Sequence, residues 1–505
     1  MNGITDAQLD TFFPKPSAPP SPLSPQRWSG VSLESTAALQ DVLKDNHKRH
    51  HIFFNDKGFH NHITHRALAL YALGASGPVI QGLYKVDSKS QRPSFKSPQE
   101  ITRENFKAHL GDENYYQAYT EFFFKNVSEK GAGAVLEEFI FSNEYNFTHG
   151  SEVTQQPEML FRLTDGVLHP MIHVGYGLEF GLIGMLAEGL ALTAVHQGDA
   201  RSSALIPPSI FSSADGLSLD DTASRLSALT LNSSVNGTAK ESTSKHGKET
   251  HAFDILSRML KDDRFPQKPR NFIGQFQDTL AAHADALHKY AEQWTIDISK
   301  PGEIDRKMEE LLWTSSLMYG IGGWDEKSGF TADFFLMHLV TSSLFLPSIL
   351  PYISARSQVL LLRAYFVTIL TWWVARGRPG FSIKKFFDST STLHTSPVKP
   401  LPYTPDPSIP VVHAQTPNAW LPVLQSTLVH PNDHLAKIQR ALAHYAAIYG
   451  EREVGYFEGT ELEGAERIDG TLFVRAAGMT MDKMGWTREG EEGQMWSFDG
   501  FYLQE

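Results

Sequence analysis

The stretch FFLMHLVTSSLFLPSILPYISARSQVLLLRAYFVTILTWWVA, Phe334 to Ala375, decides the fold class. Its two apolar runs, Phe334 to Ile353 and Val359 to Ala375, are long enough to cross a bilayer, but His338, Pro347 and Pro351 interrupt the first and Arg363 the second. Ionisable groups are costly in lipid, so both runs are expected to be buried core helices with no membrane partner. Outward from this core, apolar residues recur mostly at helical spacing and alternating strand-like patterns are scarce, so the chain reads as mainly α.

Helices are expected over Ser32–Asn46, Ile63–Leu73, Pro98–His109, Asn114–Ser128, Ala132–Ile140, Met171–His196, Phe253–Leu260, Asn271–Trp294, Ile304–Met318, Asp333–Leu350, Ser357–Arg376 and Asp433–Tyr449. They fit a large single helical domain over residues 31–505 with long irregular insertions. Residues 1–30, rich in Pro and Ser, read as a flexible lead-in, and residues 199–248 as a low-complexity loop that buries too little to order itself. The eight prolines between Thr392 and Pro422 predict an extended connector, and Gly470-Thr-Leu-Phe-Val-Arg475 predicts a short C-terminal strand or hairpin.

Composition narrows the chemistry. With 505 residues, 41% hydrophobic and 20% charged, the chain can bury a sizeable core. Its net charge of −12 and lack of a basic run argue against a nucleic-acid partner. The first thirty residues show no positive patch followed by an apolar core, so a cytoplasmic location is expected. There is no cysteine, which removes disulfides, thiolate metal sites and a cysteine nucleophile. Any metal must take nitrogen or oxygen ligands, and 21 histidines are the obvious supply.

Four clusters could provide them. In His60-Asn-His62-Ile-Thr-His65, His62 and His65 stand three apart at a helix start and share a face. In His169-Pro-Met-Ile-His173, proline suits the first helical turn, so His169 and His173 lie one turn apart on one side. His338 is a lone imidazole in an apolar helix, where desolvation keeps it in the neutral form a metal needs. In Asp433-His434-Leu-Ala-Lys437, Asp433 reads as a helix cap, and burial beside a metal would let Lys437 lose its proton, ligate directly or capture carbon dioxide as an anionic ligand. Each cluster also has a bland reading, as capping, polar-face or core residues.

Other motifs fail on context. His283-Ala-Asp285 has facial-triad spacing but lies in a helical run, whereas that motif belongs on strands. Gly175-Tyr-Gly177 misses dinucleotide spacing and follows no strand, and no phosphate loop, nucleophile elbow or His-Glu-x-x-His is present.

Taken in order, His62-Ile-Thr-His65, His169-Pro-Met-Ile-His173-Val-Gly-Tyr-Gly-Leu-Glu179, Asp333-Phe-Phe-Leu-Met-His338, Arg376-Gly-Arg-Pro379 and Asp433-His434 with Lys437 resemble the questin oxidase-like family. The resemblance implies a fungal-type oxygenase of aromatic polyketide metabolism that opens the central ring of an anthraquinone, in chemistry described as Baeyer–Villiger-like. Without a flavin fingerprint, it and the histidines together favour Fe(II) and dioxygen. NADPH or flavin dependence is the alternative, a non-catalytic scaffold a further one, and a homodimer an allowed assembly. The expected metal set is His62, His65, His169, His173, His338 and Lys437, the last as the free amine or carboxylated. His62 or His65 is expected to stand outside the coordination sphere so that a position stays open for oxygen. His434, Tyr176, Glu179 and Arg376 are the expected catalytic or substrate-orienting residues.

Overall fold

A computed structural model describes residues 5–148, 156–199, 201–215, 249–265, 275–394, 397, 408 and 416–501. Eight helices position the site: α1 (Leu33–Arg49), α2 (Ile63–Ala72), α3 (His169–Phe180), α4 (Ile183–Val195), α5 (Phe334–Ser343), α6 (Ala355–Ala375), α7 (Leu435–Tyr449) and α8 (Leu472–Met484). The architecture is mainly α. Among the described residues the strands are two, β1 (Trp324–Asp325) and β2 (Gly329–Phe330), paired antiparallel as a small hairpin.

Local chemistry starts these helices where the apolar pattern needs them. Ser32 accepts from Ser35 N at 3.1 Å to open α1, and Ser354 accepts from Ser357 N at 3.3 Å to open α6. Asp333 caps α5 by accepting from Phe335 N and Leu336 N at 3.0 and 2.9 Å. Every residue of α2 and α3 is buried, the polar Thr64, His65, Arg66, His169, His173 and Glu179 included. The apolar runs around α5 and α6 are likewise core, so their length reflects burial within the protein.

The expected continuous helix Met171–His196 is broken. Gly181 adopts φ 64°, the left-handed conformation that ends helices, and the chain folds back as α4. The two helices then approach very closely: a Cβ on Gly177 would lie 2.5 Å from Leu186 N, and one on Gly189 2.6 Å from Val174 N. On the far side of α4 lies the helix Tyr116–Lys130.

Four other expectations are corrected. Residues 470–475 are not a strand: Leu472 and Phe473 begin α8, whose Ala476, Ala477, Thr480 and Met481 bury a helical stripe that outweighs the β-propensity of four residues. Of the expected helix Pro98–His109, only Phe106–His109 forms a short 3-10 turn, because just Ile101 and Phe106 have a core to enter. The lead-in is packed: Asp6–Phe12 is helical, Phe12 and Phe13 are buried, and Ser24 donates to Pro347 O at 2.9 Å. The start of the 199–248 segment holds the helices Ser202–Leu205 and Pro208–Asp215; the rest, like most of 392–415, lies outside the described residues. The connector's last residues enter the helix Trp420–Thr427.

Candidate metal centre

Four chain-distant turns converge at the N-terminal ends of α2, α3 and α7 and on the first turns of α5. The α2 turn is locked by Asn61, which accepts from Ile63 N at 3.0 Å and donates to Asn46 Oδ1 at 3.0 Å. The α3 turn is strained: Gly166, Val167 and Leu168 all have positive φ, 54°, 55° and 64°. For a β-branched residue this is a genuine outlier, costing about 1–3 kcal/mol, and such strain collects at functional sites. Its result is that His169 enters the helix with Nδ1 2.6 Å from Gly166 O.

The imidazoles at this junction share one orientation. His62 Nδ1 lies 2.7 Å from Asp433 Oδ2, His434 Nδ1 2.8 Å from Asp433 Oδ1, and His338 Nδ1 2.7 Å from Phe334 O. Carbonyl and carboxylate oxygens only accept, so in the neutral rings Nδ1 carries the hydrogen and Nε2 the lone pair. Those Nε2 atoms face a common space. His62 Nε2 and His169 Nε2 stand 2.8 Å apart, while His338 Nε2 and His434 Nε2 are buried without any protein partner. Two lone pairs at that separation repel unless a proton or a metal cation lies between them.

One nitrogen each from His62, His169 and His434 falls within 4.8 Å of the others. The His338 ring lies beside this group, with its centroid 4.8 Å from that of His169 and 5.0 Å from that of His434. Lys437, one turn into α7, has a buried Nζ with no partner. The donor set therefore fits a cation that accepts imidazole nitrogen, and the orphaned Nζ offers one more ligand.

Electrostatics agree. Burial holds His169 and His338 well below the ordinary histidine value and His434 down to about 3, so the rings are neutral. Burial also draws Lys437 down to about 8, against the opposing pull of Asp433. Burial alone would raise Asp433, but the flanking His434 and His62 hold it well below the usual carboxylate range.

Not every expected residue joins this group. His62, His169 and His338 do, and His434 stands with them as a candidate ligand where the sequence suggested a catalytic role. His65 and His173 turn elsewhere: His65 Nε2 lies 3.0 Å from His173 Nδ1, and His173 Nε2 lies 3.2 Å from Glu188 Oε2. Tyr176 stacks on His65 with centroids 5.3 Å apart, and Glu179 is ion-paired with buried Arg440. Arg376 pairs with Asp333 at 2.6 Å and donates to Gln275 and to Phe498 O, holding the α5 cap and the C-terminal segment together. Asp433 does not cap α7: His434 occupies the cap position, and both Asp433 oxygens serve imidazoles. Sequence reading quoted His60, stacked 4.1 Å from His169, without giving it a role, and passed over the pair His47 and Glu188.

Comparison with known proteins adds relatives of full length. The chain is 28% identical over 89% of its length to Baeyer-Villiger oxidase ptaJ of Pestalotiopsis fici, 88% of which is covered. It is 26% identical over 87% of its length to a questin oxidase of Aspergillus terreus, covering 86%, and 26% identical over 93% to oxidoreductase AflY of Aspergillus parasiticus, covering 84%. The names of these relatives are those of oxidoreductases. A family model described as questin oxidase-like matches residues 59–442, a span that holds His60, His62, His169, His338, Asp433, His434 and Lys437. With the whole imidazole junction inside that match, the chain belongs to the questin oxidase-like family.

Proposed function

We propose that this chain is a non-haem iron oxygenase that breaks a carbon–carbon bond in the central ring of an anthraquinone-type polyketide. The observation that carries the reading is the common orientation of His62, His169, His338 and His434. Each has its Nδ1 committed to an oxygen acceptor and its Nε2 turned into one buried space. Such a pattern fixes tautomer and ring angle, as partners of metal-ligating histidines do. The names of the relatives, questin oxidase and Baeyer-Villiger oxidase, supply the substrate class and the kind of reaction.

In this reading the four Nε2 atoms hold ferrous iron, which when bound supplies the redox chemistry of dioxygen. Lys437 adds a fifth ligand, as the free amine or as its carbamate, and the carbamate would offset the ion's positive charge. Asp433 orients His62 and His434 together. Aromatic walls suit a flat polycyclic substrate and exclude water: the Phe334 ring lies 4.7 Å from His338, 4.9 Å from His434 and 4.7 Å from Phe498.

The test is metal analysis of the purified protein together with oxygen uptake on a hydroxyanthraquinone. One iron per chain and turnover without added nicotinamide are expected, and His338→Ala should lose both iron and turnover while remaining folded. Full turnover by iron-free protein, or a stoichiometric demand for NADPH, would overturn the proposal.

A further inference from the structure

The imidazole junction is closed. His169, His338 and His434 are only 4%, 0% and 6% exposed, so a flat polycyclic molecule has no way to their Nε2 atoms unless a wall moves. Helices α2, α3, α5 and α7 carry the rings themselves, and shifting one of them would scatter the ligand set. Solvent comes nearest at Asp433, whose side chain is 30% exposed.

Beside Asp433 the segment 494–501 crosses the first turns of α5 and α7, outside any helix and with a single backbone bridge, Ser497 to Asp333. It is docked at a few points. Trp496 Nε1 donates to Asn432 Oδ1 at 2.9 Å, and the same oxygen accepts from His434 N at 3.0 Å. Phe334 N donates to Ser497 O at 2.9 Å, Ser497 N to Ala332 O at 3.1 Å, and Arg376 to Phe498 O at 2.8 Å. The Phe498 ring lies 4.7 Å from that of Phe334, which in turn stands 4.7 Å from His338 and 4.9 Å from His434. The segment is thus one residue removed from two of the rings, through Asn432 and through Phe334.

Its approach is loose. Residues 490–495 are all exposed, and Gly490 holds φ 98° with open space where a Cβ would stand. A stretch with few buried contacts opens at a lower free-energy cost than the core helices it covers, and movable covers of buried sites are drawn from such stretches.

We propose that residues 494–501 form a strap that undocks to admit the substrate and then closes over the imidazole junction. The inference rests on the metal and anthraquinone reading above and names the movable wall of that same site. Undocking breaks the bonds of Trp496 and Ser497 and lifts Phe498 from Phe334. His338 and His434 keep their Nδ1 partners, Phe334 O and Asp433, so the ligand set survives the motion. Closing returns the aromatic cover and excludes water.

Hydrogen–deuterium exchange read by mass spectrometry tests the opening, and iron transfer to and from a bulky ferrous chelator tests the access. Amides of the strap should exchange about 100-fold faster than those of α5. Trp496→Phe keeps an aromatic ring and loses the bond to Asn432, so iron uptake and iron release should both speed up about fivefold, the worth of one hydrogen bond, with the affinity unchanged. A hydroxyanthraquinone should bind and leave faster by the same factor. Strap amides that exchange no faster than those of α5 overturn the proposal. So does a Trp496→Phe protein with unchanged rates, or one that loses affinity through faster release alone, since the strap would then only brace His434 through Asn432. A wild type that takes up no iron overturns the metal reading beneath, and the rates of hydroxyanthraquinone binding and release then decide the strap.

Discussion

Asp433→Asn tests the imidazole junction most sharply, because one carboxylate serves two rings. Asp433 accepts from His62 Nδ1 at 2.7 Å and from His434 Nδ1 at 2.8 Å. An asparagine keeps the shape but offers one acceptor oxygen and one NH2 donor. The ring that meets the NH2 must present Nδ1 as an acceptor, which moves its hydrogen to Nε2 and removes it as a ligand. Loss of such a supporting partner lowers metal affinity by about 10–100-fold, or about 1.4–2.8 kcal/mol, and loss of a whole ligand places this variant at the upper end. The remaining interactions of α2 and α7 are untouched, so the fold should survive. Iron retention against a competing chelator is the assay, with circular dichroism as the control. Iron affinity within twofold of wild type in a folded Asp433→Asn protein would refute the reasoning.

Arg376→Met should destabilise the protein by about 3–5 kcal/mol, seen in urea unfolding, because it strands the buried Asp333 charge that caps α5. Gly189→Ala should lower the melting temperature by the equivalent of about 1–3 kcal/mol, since the new Cβ would meet Val174 N at 2.6 Å; an unchanged melting temperature would contradict the close approach of α3 and α4. Burial opposes ionisation of Glu188, but hydrogen bonds from His173 and His47 bring it down to about 2 from its ordinary 4.5. Its folded value is depressed, so the stabilisation is present above 4.5 and lost as pH falls towards 2; melting measured across that window should fall more steeply for wild type than for Glu188→Gln. Lys437→Met should keep the fold and lower iron affinity, read by the same chelator competition.

The helical class was legible because the core helices are apolar on all sides, and the imidazole clusters because helical spacing places residues three or four apart on one face. What escaped the sequence was decided by groups far away in the chain. Asp433 looks like a cap from its neighbours alone, and only the approach of α2 turns its second oxygen to His62. His62 and His65 look equivalent on α2, but His173, held by Glu188, claims His65. Glu188 did leave a signal, a single carboxylate in an otherwise apolar helix, which marks a buried partner without naming it. The turn at Gly181 was hidden because the hydrophobic pattern runs straight through it, and Gly470–Arg475 misled because four β-favouring residues precede a long helical stripe.

A crystal structure of the iron-loaded protein, with anomalous scattering collected at the iron edge, addresses the central claim directly. The expected result is one peak about 2.1 Å from each of His62, His169, His338 and His434 Nε2, within reach of Lys437. A peak lying instead between His65, His173 and Glu188, or no peak near these imidazoles in active protein, would contradict it.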